Sequence, residues 1–270
     1  MNTLTHPTET TSGTGVPAPA YRLSAKGILR AEWHKLWTLR STWITLITAS
    51  ALVLSVGIVM GSTYDDDAEI DTVVFTLFGT QLSQICLAVL GILVTAGEYA
   101  TGMIRASLTA VPQRLPLLWS KAAVFTVVAF TASWTTNTVT FLTAQTWLSG
   151  TDKELALTDD DVLAALTTSA AALTLLGLFA LYLGALLRSV PGAIGAFVGS
   201  VLILPEVLSM LPFDAVQSAI RYFPAQAASA LGSVSRVEHT IAPGTALLTL
   251  ALWSAVALAA ATALLKRRDV

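Results

Sequence analysis

The chain has few charged residues and almost no cysteine or histidine. Aspartate, glutamate, lysine and arginine make up 12% of its 270 residues, whereas soluble proteins average about 25%. The single cysteine, Cys86, cannot form an intrachain disulfide. The three histidines lie in the N-terminal tail, at the predicted interface and in an outer loop, at His6, His34 and His239. We therefore expect neither a disulfide framework nor a metal site.

The signatures of several enzyme classes are also missing. The sequence has no G-x-x-x-x-G-K-[ST] loop, no H-E-x-x-H pair and no cluster of cysteine and histidine. Its long apolar stretches carry no aspartate, glutamate, histidine or lysine at mid-depth, and the nearest acids, Glu98 and Glu206, fall at their ends. Intramembrane proteolysis and ion-coupled transport normally require such buried ionisable groups. We expect no enzyme activity, no bound cofactor and no ion-gradient carrier.

Six long apolar stretches dominate what is present. Each is long enough to cross a hydrocarbon core of about 30 Å at about 1.5 Å per residue. The stretches lie near 41–61, 72–97, 122–149, 162–187, 190–211 and 243–265. They leave no room for a soluble catalytic domain, which needs on the order of 100 residues. The sequence predicts an all-α membrane protein with a six-span domain over 41–265.

The positive charges fall on alternate connections between these stretches. Twelve of the 15 lie on one side: Arg22, Lys26, Arg30, Lys35, Arg40, Arg105, Arg114, Lys121, Arg188, Lys266, Arg267 and Arg268. Such a bias marks the cytoplasmic side, so we predict that both termini are cytoplasmic, including a basic C-terminus at 266–270. Acids gather on the other side, at 65–71 and 152–161. They form either a vestibule that attracts cations or simply soluble loops.

Two N-terminal segments precede the first stretch. Residues 1–23 are rich in Thr, Gly and Pro and lack the apolar core of a signal peptide, which predicts a disordered cytoplasmic tail. Residues 24–40 place apolar and basic side chains on different faces of a helix, which predicts an amphipathic helix at the membrane interface. An ordinary basic flank with aromatic anchors is the alternative. The interfacial residues would be Lys26, Arg30, Trp33, Lys35 and Trp37. Ser41 or Thr42 would cap the next helix.

Two further connections have recognisable patterns. The inner loop, residues 97–121, predicts a short helix over 98–108 that begins at Glu98, then a proline-containing turn over 109–116. The outer segment, residues 205–242, repeats apolar side chains at helical spacing and predicts re-entrant or amphipathic outer helices that gate the exit. An ordinary surface loop is the alternative. The gate residues would be Phe213, Val216, Ile220 and Phe223.

Uncharged polar side chains occur within the apolar stretches. Gln81, Gln84, Asn137 and Gln145 are candidates to line a path for a polar or amphipathic cargo. Hydrogen bonding between helices is the alternative, and the commoner use of such residues. The pair Gly195 and Gly199 permits close approach of another helix but is only weak support for a dimer seam.

The inner loop and the N-terminal helix together resemble a known family. The motifs are Gly97–Glu98–Tyr99 with Gly102, Arg105, Pro112, Arg114 and Lys121, and Glu32–Trp33–x–Lys35–Leu36 with Arg40–Ser41–Thr42–Trp43. They resemble membrane subunits of ATP-binding-cassette (ABC) exporters of the second permease class. In that family the N-terminal segment is an interfacial elbow and the inner loop is a cytoplasmic coupling helix. The similarity extends over nearly the whole chain beyond residue 24.

The resemblance implies a transporter of two permease and two ATPase chains, with ATP and Mg on the ATPase. It implies contact with the ATPase through Glu98, Gly102, Arg105, Pro112 and Arg114. We expect a second copy of the chain, a bacterial cell membrane, a small amphipathic cargo such as a drug, antibiotic or peptide, and no nucleic acid. The alternative is a non-transporting membrane sensor or anchoring protein.

Overall fold

The computed structural model of the chain describes residues 24–63, 71–104, 114–151, 154–159, 161–232 and 241–267. Secondary structure within these ranges is entirely helical. The helices are α1 (Ala25–Thr38), α2 (Arg40–Ser62), α3 (Thr72–Thr76), α4 (Thr80–Ala100), α5 (Arg114–Leu148), α6 (Val162–Leu187), α7 (Val190–Ser209), α8 (Asp214–Ile220), α9 (Pro224–Ser229) and α10 (Pro243–Arg267). The expected all-α fold is confirmed for these ranges.

Six of these helices are long and apolar enough to cross a membrane, namely α2, α4, α5, α6, α7 and α10. The chain therefore has the architecture of a multi-pass membrane protein. Successive crossings run in opposite directions, so the end of α4, the start of α5 and the turn between α6 and α7 meet at the end of the bundle that carries α1. We call this the α1 end.

The second predicted span, 72–97, does not form a single continuous helix. It is divided into α3 and α4 by a turn at residues 77–79. This turn brings the backbone of Gly79 against α2, where a Cβ would lie 2.7 Å from Val53 Cα. The separate helix α3 has its own N-cap, since the Asp71 carboxylate accepts hydrogen bonds from the Val73 and Val74 amides at 3.0 and 3.1 Å. The chain thus re-enters the bundle in two steps.

The helix α7 is not regular throughout its length. Residues Val198–Ile203 form a π-helical turn immediately before Pro205. Proline has no amide hydrogen to donate to the preceding turn, so it disturbs the regular hydrogen-bond ladder. A Cβ added to Gly195 or Gly199 would meet nothing within 4 Å. The predicted small-residue pair is therefore open on a single chain.

The core of the bundle is the contact between α4 and α6. A Cβ added to Gly91 of α4 would lie 2.4 Å from the Gly177 carbonyl oxygen, and one added to Gly184 of α6 would lie 3.1 Å from the Ile92 carbonyl oxygen. Only glycine permits this distance between the two helix backbones. Helices α5, α7 and α10 pack around the pair and complete the main hydrophobic core.

Helices α6 and α7 form the antiparallel hairpin that the sequence predicts. Arg188 has a left-handed backbone with φ of 55° and ends α6, and the Ser189 hydroxyl accepts a hydrogen bond from the Gly192 amide at 3.3 Å. Pro191 follows in the first turn of α7, where its missing amide hydrogen costs nothing. The Arg188 guanidinium lies 5.1 Å from the ring centroid of Tyr99 and joins this turn to the end of α4.

Candidate functional site

Helix α1 is separated from the first span by a single extended residue, Leu39. The prediction that Ser41 or Thr42 is the N-cap of α2 is wrong. Helix α2 already begins at Arg40, so both residues lie within its first turn. The sharp break at Leu39 lets α1 turn away from α2 and pack on α5. The expected separate N-terminal helix is present, over residues 25–38.

The faces of α1 differ from a simple apolar and basic division. Leu36 and Glu32 are buried, whereas Trp33 and Trp37 are 38% and 39% exposed. The two indole rings lie 5.7 Å apart, and Trp37 lies 4.8 Å from Trp43 of α2. The side chains of Lys26 and Arg30 are exposed. Exposed indoles beside basic side chains suit a membrane interface, and the location of α1 there remains a prediction.

Four charged residues form a cluster between α1, α4 and α5, which we call the charge cluster. It consists of Glu32, Lys35, Glu98 and Lys121. The Lys121 ammonium donates to Glu32 Oε2 at 2.7 Å and also to Glu98 Oε1. The same Glu98 oxygen accepts from Lys35. The side chains of Lys121 and Glu98 are each 4% exposed. The cluster is therefore a chain of alternating charges with no net charge, in which Glu32, Glu98 and Lys121 are buried and Lys35 is half-buried.

Burial makes each member of the charge cluster depend on the others. A cavity of about 170 Å³ adjoins the cluster, and its apolar wall includes Leu36, Leu93 and Val124. Charge pairs interact more strongly in such surroundings than in water. An unpaired buried charge is strongly unfavourable, and removing one partner of a buried pair typically costs about 3–5 kcal/mol. The charge cluster therefore fastens three helices together at fixed positions.

The charge cluster lies at both ends of the inner loop. Glu98 is in the last turn of α4 and Lys121 is in the second turn of α5, so residues 101–113 connect them. Through Glu32 and Lys35 the same cluster holds α1. A displacement of the loop would reach α1, α4 and α5 together.

The prediction that Glu98 begins a helix over 98–108 is wrong. Helix α4 continues through Ala100 and ends at Thr101, whose amide donates to the Gly97 carbonyl at 3.0 Å. Gly102 follows with φ of 71°, a left-handed conformation that commonly terminates helices. The lack of a side chain suits this backbone, and the predicted close approach of a partner at Gly102 stays a prediction. The Glu98 carboxylate thus lies at the C-terminal end of a helix dipole, where only its lysine partners favour it.

The remaining predicted coupling residues are only partly described. Met103 and Ile104 have helical backbone after the break at Gly102. Arg105 and Pro112 lie outside the described residues. Arg114 is the first residue of α5, so the predicted turn over 109–116 is wrong at residues 114–116. The coupling helix beyond Ile104 therefore stays a prediction.

The outer segment contains two short helices, α8 and α9, in agreement with the predicted amphipathic spacing. Ile220 is buried and Phe213 is 59% exposed. The Phe223 ring lies 6.0 Å from the Trp253 ring of α10, and the Trp253 indole donates to the Tyr222 carbonyl at 3.0 Å. Val216 is half-buried. The predicted gate residues thus do not share one environment, and Phe223 marks the point where the segment is attached to α10.

The candidate path residues are divided between two places. Gln81 and Gln84 line a cavity of about 250 Å³ together with Ser169 of α6, which we call the polar cavity. The Asn137 side chain is buried beside it and donates to Ser169 Oγ at 3.3 Å. Gln145 lies elsewhere, because its carbonyl oxygen accepts from the Leu155 amide at 3.1 Å. The polar cavity is at the end of the bundle opposite α1.

Several site residues were not assigned from the sequence. Glu32 and Lys121 complete the charge cluster, and Ser169 and Gly232 line the polar cavity. Glu32 did carry a signal, since it is an acid within a basic amphipathic helix. Ser169 carried none, because serine is common in apolar helices. The described residues contain no group of three potential metal ligands.

No protein-family model matches the chain, and neither does any curated protein. The fold, the charge cluster and the polar cavity are therefore the features that indicate a function.

Proposed function

We propose that the chain is the permease subunit of an ABC exporter of the second permease class, working with a separate ATPase subunit. The observation that carries this proposal is the charge cluster. It ties both ends of the loop at 101–113 to the bundle and to α1 through buried charges. A loop that receives force from a partner needs such fixed ends.

The ATPase supplies the energy in this account, and ATP and Mg bind to that partner. Closure of the ATPase pushes on the loop between α4 and α5. Because Glu98 and Lys121 pair with each other across the two ends of the loop, the push moves α4 and α5 together instead of bending one of them. Helix α1 moves with them through Glu32 and Lys35.

The architecture supports the remaining parts of the proposal. Six spanning helices suit a permease, and in this proposal the ATP-binding domain is on another chain. The bias of the positive charges supports cytoplasmic termini, and the family resemblance implies a bacterial cell membrane. Two copies of the chain would form the transporter, and the polar cavity supports passage of a small amphipathic cargo.

Purification of the tagged chain from its native membrane tests the proposal. We expect an ATP-binding subunit to co-purify in equal amount and to hydrolyse ATP in a reaction that orthovanadate inhibits. Reconstitution of this complex into vesicles should give ATP-dependent movement of cargo. Purification of an intact chain with no ATP-hydrolysing partner would contradict the proposal and favour a sensor or anchoring protein.

A further inference from the structure

The polar cavity is walled by uncharged side chains. It lies between α3, α4, α6 and α9, and has a volume of about 250 Å³. Its polar groups include Gln81, Gln84 and Ser169, and apolar side chains such as Phe78 and Leu173 form much of the remaining wall. None of the lining residues that the structure describes carries a charge. A charged ligand would have to leave water there without a counter-charge, which is strongly unfavourable.

The side chains of Gln81 and Gln84 leave one hydrogen-bond donor group and one hydrogen-bond acceptor unused. Gln84 is 4% exposed, and its amide nitrogen donates to the Gln81 carbonyl oxygen at 3.2 Å. Neither side chain makes another hydrogen bond within the described part of the chain. Exchanging oxygen and nitrogen in both amides would reverse this bond and place the free donor group on Gln84 and the free carbonyl on Gln81. The pair therefore offers an occupant one amide N–H donor group and one carbonyl acceptor.

Ser169 adds a second donor. It is 6% exposed, and its Oγ accepts a hydrogen bond from the buried Asn137 amide at 3.3 Å. With the Asn137 amide in this orientation, the hydroxyl hydrogen of Ser169 has no acceptor among the residues that the structure describes, and the Asn137 carbonyl oxygen has no donor. Exchange of oxygen and nitrogen in that amide would let Ser169 donate to Asn137 instead. A serine in a helix usually donates to the preceding turn, so in the first orientation the free hydrogen is available to an occupant of the polar cavity.

We propose that the polar cavity binds an uncharged amphipathic small molecule through an amide group. The ligand carbonyl accepts from the Gln81 amide and the Ser169 hydroxyl, and the ligand N–H donates to the Gln84 carbonyl. The apolar part of the ligand packs on Phe78 and Leu173. This inference rests on the proposed function in one respect: the ligand of the polar cavity is identified with the exported cargo, and its amide group then gives the chemical class of that cargo.

Cysteine protection tests the proposal on the isolated chain. Cys86 is first replaced by alanine, and Gly232→Cys is introduced as a reporter, since a Cβ there would lie 3.9 Å from Ser169 Oγ. The rate of reaction with N-ethylmaleimide is measured alone and with N-cyclohexylacetamide, cyclohexylamine or cyclohexanecarboxylate. We expect the amide to slow the reaction at least about fivefold, and the two charged compounds to leave it unchanged.

Matched variants separate recognition from general effects. Gln84→Leu should abolish the protection by N-cyclohexylacetamide, whereas Gln217→Leu, on the exposed face of α8, should retain it. If Gln84→Leu fails to fold, Ala228→Leu provides a second test because Ala228 lines the polar cavity and Ala225, in the same helix, does not. Ala228→Leu should abolish protection and Ala225→Leu should retain it.

Three results would overturn the proposal: no protection by the amide, equal protection by the charged compounds, or protection that persists in both Gln84→Leu and Ala228→Leu. The assay needs no ATPase. Its failure would therefore remove the cargo assignment alone, whereas the absence of an ATPase partner would remove the proposed function.

Discussion

Glu98 accepts hydrogen bonds from two lysine side chains through one carboxylate oxygen. Its second oxygen is buried and has no hydrogen-bond partner among the described residues. Its negative charge is therefore held in place by Lys35 and Lys121 alone. Among the members of the charge cluster, Glu98 makes the connection between α1 and α4 and the connection between α4 and α5.

Replacement of Glu98 should show this dependence. Glu98→Gln leaves two lysines with only Glu32 to balance them, so we expect the free energy of unfolding in detergent to fall by about 3–5 kcal/mol. The double change Glu98→Gln with Lys35→Met restores neutrality and should recover much of this loss. Denaturant unfolding of the purified chain measures both effects.

Glu206 provides the control, since it is an exposed acid near the end of another spanning helix. Glu206→Gln should change the free energy of unfolding by less than about 0.5 kcal/mol. An equal effect of Glu98→Gln and Glu206→Gln would show that the charge cluster does not stabilise the fold.

The pairing of these residues could not be predicted from the sequence. Lys121 is 23 positions from Glu98 and 89 positions from Glu32. Charges at span ends are ordinarily explained by membrane orientation, and that explanation accounts for Lys35 and Lys121 without any partner. Only the packing of α1 against α5 brings the four side chains together.

Gly102 shows how one residue separates two elements. It ends α4 in a left-handed conformation with φ of 71°, and a Cβ added there would meet nothing within 4 Å. Asparagine tolerates this conformation and leucine does not. Gly102→Leu should therefore extend or distort the end of α4 and reduce ATP-driven transport, whereas Gly102→Asn should preserve it. Equal transport by both variants in reconstituted vesicles would contradict a role for the break.

An aromatic contact is one of the attachments of the outer helices to the bundle. Phe223 packs against Trp253, whereas Phe213 is largely exposed. We expect Phe223→Ser to loosen α9 from α10 and to increase hydrogen exchange in residues 221–232, with greater basal leak of cargo. Phe213→Ser is the matched control and should leave both unchanged. If the two substitutions give the same exchange and leak, α9 is not the gate.

Elements with regular apolar spacing were predictable, and interruptions were not. The spacing of Phe213, Val216, Ile220 and Phe223 did indicate short helices, and two short helices are present. The break at residues 77–79 was missed because it depends on the approach of Gly79 to α2. The end of α4 was misplaced because hydropathy falls before the hydrogen-bond ladder ends at Thr101.

For the whole molecule, the charge bias predicts that the α1 end faces the cytoplasm. In a background with Cys86→Ala, cysteines at positions 67 and 160 should react with an impermeant maleimide added outside intact cells. A cysteine at position 114 should react only after permeabilisation. Reaction of position 114 from outside would reverse the orientation and place the charge cluster away from ATP.

The number of spanning helices followed directly from six apolar runs, because the hydrocarbon thickness sets their length. Which of these helices pack against one another did not follow from the sequence. Close packing of α4 on α6 depends on Gly91 and Gly184, which lie in different runs of an apolar sequence that contains 17 glycines. The polar cavity depends on the same packing, since Ser169 faces Gln84 only when α6 lies beside α4.

Site-specific photo-crosslinking tests the central claim most directly, which is that the loop after α4 contacts an ATPase. A benzophenone amino acid replaces Met103, which is exposed at the α1 end, or Phe213, which is exposed in the outer segment. After irradiation of native cells, the account predicts that position 103 captures an ATP-binding subunit and that position 213 does not. Capture of no ATP-binding protein from position 103, in cells where the chain is inserted and intact, would contradict the account.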